Sequence, residues 1–497
     1  MKSGSLKTVA RGLILGASVF AFAGAAHAAT NLNLYGASAQ YNFWSHEDCA
    51  VLKAAPINCG ACTTYATTDG KSSVAYATGC AAAYSQDDGN SDGKIYFSYT
   101  NKASYDGIDA VLGVWDAANN GNAAAPCGAN QDQRKVATCL NGACGANATY
   151  TCQKVHIGTS DVDAGSFVQA SSGTLLGPLD PLDAATNRSF PGTGIDVSTL
   201  PKSNHYVVGT YKIQQPETPI AYPFGFYVNP GVKSYRCITS APSNVNGFCT
   251  QETDCGGTNG TTSYCTAQTI DNLSRLQVVA LFSGYIDNWS DFGAYYPAKP
   301  VTLCLRHAGS GTSATLDWGI MEGNGWGNSF YGNNGQGENR ATTGTPPYIY
   351  FNDGTGDLQK CLQWANGHAF AGADALASNE QGGAIGYMDA DNGSTSDYVA
   401  IKFNGVAPSR IAMHDGIYDN FWTINRMYVP AGLLSGQVQI YYQMLTTLGN
   451  PNNITNANLG GTRGNYYGST VELNFPKTSD NAYPYGYSPS DTPATPN

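Results

Sequence analysis

Leu305-Arg306-His307-Ala308-Gly309-Ser310-Gly311-Thr312 joins a β-rich run, Pro300 to Leu305, to a potential helix, Ser313-Ala314-Thr315-Leu316-Asp317-Trp318, through a turn of small residues. Ser310 or Thr312 suits the N-cap, because a short hydroxyl side chain accepts a hydrogen bond from the open amides of a first helical turn. Those amides carry partial positive charge, glycine lets a ligand approach them, and Arg306 adds a planar fork of charged donors. Strand, arginine, small turn and helix together describe a cradle for a tetrahedral oxyanion. A plain strand-to-helix turn has the same outline, so the rest of the chain must decide between them.

Lys2, Lys7 and Arg11 precede an apolar run from Gly12 to Ala26, and Ala26-His27-Ala28 offers small residues before Ala29. Residues 1–28 therefore read as a secretory signal peptide whose apolar run is too short to span a bilayer comfortably. No later run is long and apolar enough for a transmembrane segment, and no cysteine follows the cleavage site directly to take a lipid anchor. The expected location is the periplasm or the outside of the cell. Without residues 1–28 the chain keeps 22 basic and 36 acidic side chains, a formal charge of −14. That balance argues against nucleic acid and anionic membrane surfaces as partners, but a small anion can still be held by local dipoles. With 12% charged residues, 59 Gly and 32 Tyr, the composition is that of a loop-rich exported protein, long enough for two domains.

Fourteen cysteines in such a chain read as cystines. They fall into even groups: Cys49, Cys59, Cys62 and Cys80; Cys127, Cys139, Cys144 and Cys152; Cys237, Cys249, Cys255 and Cys265; then Cys304 with Cys361. Pairing within each group is expected, and no free thiol. Cys59-Gly60-Ala61-Cys62 has the spacing of a redox or metal motif, but no second pair at zinc spacing accompanies it.

Along the chain, Asn31 to Tyr35 alternates like a strand, Gly36-Ala37-Ser38-Ala39 makes a small turn, and Gln40 to Leu52 suits a helix. Residues 55–93 and 117–153 read as cysteine-bearing insertions, Lys94 to Thr100 as a strand, and Ile108 to Val114 as a helix. Val155 to Asp161 reads as a short strand delivering Ser160 and Asp161 to its carboxyl end, where open α/β sheets bind ligands. Pro219 to Val228 reads as a buried strand, residues 237–265 as a third insertion, Asn272 to Phe282 as a helix, and Gly383 to Tyr387 and Tyr398 to Asn404 as strands. Strands alternating with helices, with long insertions at the tips, give an α/β fold of two lobes.

These phrases occur in the order found in a known family. The chain resembles the phosphate-binding proteins of bacterial phosphate ABC transporters, within the two-lobed periplasmic solute-binding superfamily. The match runs through Gly36-Ala37-Ser38-Ala39, Ser104 before Gly107-Ile108, Thr159-Ser160-Asp161, Leu281-Phe282-Ser283-Gly284 to Asn288-Trp289-Ser290-Asp291, Arg306 with Gly309 to Thr312, Gly383 to Tyr387, and Lys402 to Ser409. Gln40-Tyr41 stands where the family has Thr-Phe, and Ser38 and Ala103 stand where it has glycine.

The resemblance implies an α/β, type II-like periplasmic binding fold with a ligand cleft between lobes and disulfide-stapled insertions. Lobe 1 would comprise residues 29–222 and 395–478, lobe 2 residues 223–394, and 479–497 a flexible tail. It also implies that phosphate, or arsenate, is held by Ala39, Gln40, Tyr41, Ser104, Ser160 and Asp161 on one side and by Arg306, Ser310, Gly311 and Thr312 on the other. No metal or cofactor is expected, and an ABC transporter permease is the implied partner. Asp161 is the discriminating residue: an ionised carboxylate only accepts hydrogen bonds, so it favours an oxyanion that carries a proton, as phosphate does and sulfate does not.

Ser310 lacks the Gly-x-Ser-x-Gly frame of a hydrolase nucleophile, which leaves a secreted phosphatase a weak reading. A surface or extracellular interaction protein built on the same fold is the stronger alternative, its insertions carrying the function. Asp88 to Ile95 begins like a calcium loop but has Tyr99 in place of the closing glutamate. Asp389, Asp391 and Asp397 form a weaker acidic group, and His307 and His414 show no paired metal spacing.

Overall fold

The computed structural model describes residues 29–85, 92–113, 127–128, 132–139, 144–164, 166, 217–306, 309–321, 346–352, 354–370, 378–379, 381–430, 432–477 and 480. Residues 1–28, read above as a signal peptide, Asp88 to Ser91 of the calcium-like loop, His307, and residues 479–497 except Asp480 lie outside these residues.

The first part of the chain gives β1 (Thr30–Ala37), α1 (Tyr41–Lys53), β2 (Ala61–Ala66), β3 (Ser72–Thr78), β4 (Lys94–Lys102) and α2 (Ser104–Leu112). The hairpin β5 (Gln133–Thr138) and β6 (Thr149–Lys154) follows, then β7 (Ile157–Ser160). The next part gives β8 (Ile220–Val228), the hairpin β9 (Lys233–Cys237) and β10 (Cys265–Thr269), β11 (Asn272–Leu273), α3 (Arg275–Phe282), β12 (Thr302–Arg306) and α4 (Gly311–Gly319). After these come β13 (Tyr348–Asn352), α5 (Thr355–Ala365), β14 (Ala384–Asp389), β15 (Val399–Phe403), α6 (Arg410–His414), β16 (Trp422–Ile424), β17 (Arg426–Tyr428), α7 (Ser435–Leu448) and β18 (Gly468–Ser469).

Two mixed sheets organise the molecule as a two-lobed α/β protein. The first has the order β17-β7-β1-β4-β3-β2, with β1 parallel to both β4 and β7. The second has the order β11-β15-β8-β14-β12-β13, with β12 parallel to β13 and β14, and with β16 and β18 paired to β8. All nine residues of β8 are buried, as its apolar run requires of a strand covered on both faces.

The cysteine-bearing insertion at 55–93 adds β2 and β3 to the first sheet through antiparallel pairing with β4. Two sequence expectations are corrected. Strand β15, grouped with the first lobe in the sequence reading, pairs with β8 and β11 in the second sheet, and the chain returns to the first sheet only at β17. The helix expected from Asn272 begins at Arg275. Asn272–Leu273 pairs with Lys402–Phe403, and Ser274 caps the helix by accepting the Gln277 N–H.

The disulfides fall within the four groups: Cys49–Cys62, Cys59–Cys80, Cys127–Cys152, Cys139–Cys144, Cys237–Cys255, Cys249–Cys265 and Cys304–Cys361. No cysteine is left free. No helix among the described residues is long and apolar enough to cross a membrane.

Candidate anion-binding site

Parallel strands β1, β4 and β7 end at one level of the first lobe, and β12, β13 and β14 do so in the second. The residues just beyond those carboxyl ends meet. Ser38 follows β1, Ser104 opens α2, and Asp161 follows β7; facing them, Arg306 ends β12, Ser310 caps α4, and Asp389 ends β14. Crossovers place helix N-termini beside these strand ends, so backbone amides and side-chain donors converge on one buried zone.

Asp161 is 1% exposed. Its Oδ1 accepts from the Tyr222 hydroxyl at 2.5 Å and its Oδ2 from the Thr312 hydroxyl at 3.4 Å. Its N–H donates to Ser104 Oγ at 3.1 Å, and its carbonyl accepts from the Thr423 hydroxyl. Burial pushes its carboxyl up to about 6; the Tyr222 hydrogen bond and the nearby Arg306 charge oppose this, while Asp389 adds to it. The group stands near the middle of its titration at mildly acidic pH, unlike an exposed aspartate.

Arg306 is equally buried. Its N–H donates to the Tyr387 hydroxyl at 3.1 Å, Nε to the Asn352 carbonyl at 3.3 Å, and Nη1 to Ser38 Oγ at 2.9 Å. That last bond crosses from one lobe to the other. Ser38 Oγ lies 3.4 Å from Thr355 Oγ1, whose hydroxyl donates to Asp389 Oδ1 at 3.0 Å. Burial and the adjoining Asp391 raise the Asp389 carboxyl, which ends this chain of hydrogen bonds, well above the usual range.

Ser310 Oγ accepts the Ser313 N–H at 3.4 Å, the expected N-cap bond. Gly311 sits directly against the opposite lobe. A β-carbon there would come within 2.6 Å of Asp161 Cβ and 2.8 Å of Asp161 Oδ2, so only glycine permits this approach. The Tyr105 N–H donating to the Gly309 carbonyl at 3.1 Å closes the same seam.

Of the residues expected to hold the anion, the structure brings Ser104, Asp161, Arg306, Ser310, Gly311 and Thr312 together. It places the other side chains differently. Ser160 Oγ donates to the Val162 carbonyl at 2.7 Å and closes a local turn. Gln40 is buried, with Nε2 on the Ser160 carbonyl at 3.3 Å and Oε1 accepting the Trp44 indole N–H at 3.0 Å. Tyr41 lies in the field of Tyr150, Asp69 and Asp48, and burial first and then those groups push it up to about 12. The Ala39 carbonyl accepts the Tyr467 hydroxyl at 3.2 Å.

Tyr222, Thr355 and Thr423 carried no signal in the sequence, and Asp389 drew notice only as one of a weak acidic group with Asp391 and Asp397. Tyr222 lies inside an apolar run and reads as core; Ser38 did carry a signal, as a serine where the resemblance expects glycine. His307 and Ala308, in the middle of the cradle sequence, lie outside the described residues. Cys59 and Cys62 belong to two separate disulfides, which removes the redox or metal reading of that motif.

No family model and no curated protein matches the chain. Solved structures do. A phosphate ABC transporter substrate-binding protein of Clostridium perfringens, described as putative and with bound phosphate, is 11% identical, with 88% of this chain and 99% of that one covered at a TM-score of 0.40. The ancestral soluble variant of the human phosphate-binding protein is 13% identical, with 86% and 88% covered at 0.39. A phosphate-binding protein of Stenotrophomonas maltophilia is also 13% identical, with 81% and 78% covered at 0.33. Over most of its length, then, this chain is similar to solved phosphate-binding proteins.

Proposed function

We propose that the protein is an exported solute-binding protein that holds a protonated tetrahedral oxyanion, inorganic phosphate or arsenate, between its lobes and delivers it to a membrane permease. One observation carries this reading: a buried carboxylate, Asp161, faces the N-terminal turn of α4 close to the buried Arg306 guanidinium. Arginine and helix amides attract an anion, whereas the carboxylate repels every anion that has no hydrogen to give it. The combination suits an oxyanion bearing a proton. Rejection of an unprotonated analogue follows from the repulsion between its oxygens and the Asp161 carboxylate, since neither brings a proton to share.

In this reading the first lobe contributes Ser38 and Ser104, and the second Arg306, Ser310, Gly311 and Thr312. Holding and releasing a ligand needs no nucleophile and no metal, so the role proposed is binding rather than catalysis. The cystines suit an oxidising compartment outside the cytosol.

Calorimetric titration of the protein, freed of bound ligand by unfolding and refolding without reductant, tests the reading. Binding of phosphate without binding of sulfate is the expected result. Silence with both anions overturns it.

A further inference from the structure

We propose that the third cysteine-stapled segment builds, with the body of the second lobe, a second binding site whose ligand is a saccharide. The site is a cavity of about 490 Å³, within the range of small-ligand pockets, about 300–1,000 Å³. One wall, Arg236 and Phe248, comes from the stapled segment, and the other, Tyr295 and Tyr296, from the turn before β12. None of these residues belongs to the anion cleft.

Three rings form a cluster, with Phe248 5.2 Å from Tyr295 and 6.1 Å from Tyr296 between centroids. Phe248 and Tyr295 nevertheless remain 41% exposed each. Covalent and backbone ties hold both rings in place at the cavity. Cys237–Cys255 and Cys249–Cys265 fix the backbone on both sides of Phe248, and the Tyr235 N–H donates to the Tyr295 carbonyl at 2.7 Å, joining the two walls. A preorganised aromatic surface of this kind costs little further entropy when a ligand settles on it.

The rim decides the ligand class. The Arg236 guanidinium lies 4.7 Å over the Phe248 ring and 3.2 Å from Asp271 Oδ1. Lys402 is exposed beside them, and the Asn272 side-chain oxygen already accepts the Gly405 N–H at 2.7 Å, which leaves its amide hydrogens to donate. Charged donors, an amide donor and a carboxylate acceptor thus line the same cavity as the rings. A wholly apolar ligand would strand those polar groups. A small anion would ignore the rings and face Asp271. A sugar ring answers both surfaces: its C–H face carries slight positive charge and suits the negative face of an aromatic ring, and each hydroxyl both donates and accepts.

Native gel electrophoresis through four soluble polysaccharides, laminarin, hydroxyethylcellulose, dextran and polygalacturonate, tests the proposal on the full exported protein. Retardation by at least one is expected, followed by calorimetry with its oligosaccharide. Phe248→Ala and Tyr295→Ala should weaken that binding about tenfold or more, and Lys402→Gln, which leaves the rings intact, should weaken it as well. Phosphate titration of each variant reports on the fold and should be unchanged, so this proposal fails or stands independently of the anion cleft. Absence of retardation in all four gels, or retardation unaltered in all three variants, overturns it.

Discussion

In the proposed anion site, selectivity turns on a single proton, that of Asp161. Its carboxyl is raised from 3.8 to about 6 by burial, so lowering the pH through 6 converts it from a pure acceptor into a donor. If the proposed anion site is right, sulfate should fail to bind at pH 8 and bind increasingly as pH falls below 6, whereas phosphate should bind on both sides of that value. Asp161→Asn places a permanent donor there. It should narrow the preference for phosphate over sulfate by about 10- to 100-fold, the equivalent of about 1–3 kcal/mol for an unpaired buried polar group, and abolish the pH dependence of sulfate binding. Titration calorimetry at pH 5 and 8 checks both, and selectivity unchanged in the variant would remove Asp161 from the site. Gly311→Ala should weaken phosphate binding by about 1–3 kcal/mol, because the added methyl group is driven into Asp161 and Ser104 across the seam. Unaltered affinity in that variant would show that the seam is not part of the bound state.

Helix α1 shows what an element's periodicity does to charged residues that fall on its buried stripe. Phe43, Trp44, Val51 and Leu52 define the face turned to the core, and Glu47 and Asp48 lie between them on the same face. Burial raises Glu47 to about 8 and Asp48 to about 7, and both Glu47 oxygens lack a partner among the described residues. Because the folded values exceed the unfolded ones, this contribution to stability is complete below about pH 4 and is lost as pH rises through 7 and 8. Thermal unfolding should give a midpoint that falls between pH 5 and 8, and Glu47→Gln should flatten that slope. The β2–β3 hairpin makes a weaker device. Lys71 at its tip pairs with Asp357 of α5 at 3.3 Å across the lobes, but Lys71 is 41% exposed. Lys71→Ala should reduce phosphate affinity by no more than about fivefold, under about 1 kcal/mol, and high salt should erase the difference. The same elements explain what the sequence revealed. Strands with an apolar run, such as β8 and β14, and the N-cap at Ser310 were legible because burial and capping demand particular residue types. Strands β2 and β3 were not: Ala61–Ala66 has no buried residue and no apolar alternation, and Ser72–Thr78, though mostly buried, is built largely of small and hydroxyl residues. The side-chain directions of Gln40 and Ser160 depend on partners more than a hundred residues away or on one local turn, which no spacing rule encodes.

At the scale of the whole molecule, Cys304–Cys361 ties β12, which carries Arg306, to α5 across 57 residues of sequence. Chain entropy alone gives such a link about 4 kcal/mol, so the Cys304→Ala, Cys361→Ala pair should lower the thermal midpoint well beyond what loss of two buried sulfurs implies, measured without reductant. Thiol titration under denaturing conditions should find no free thiol in the unreduced protein. Strand β8 shows what kind of folding problem this architecture poses. Its later half is paired by residues 385–389 and 399–401, but its first half takes partners from 422–424 and 468–469. Ala221 and Gly468 are neighbours in the sheet and almost 250 residues apart along the chain. At a synthesis rate of about 5–20 residues per second, Ala221 emerges roughly 12–50 s before its last partner. Contacts this distant make for slow, late-committing folding. Until its final segment arrives, the chain cannot complete the strand in the middle of its second sheet.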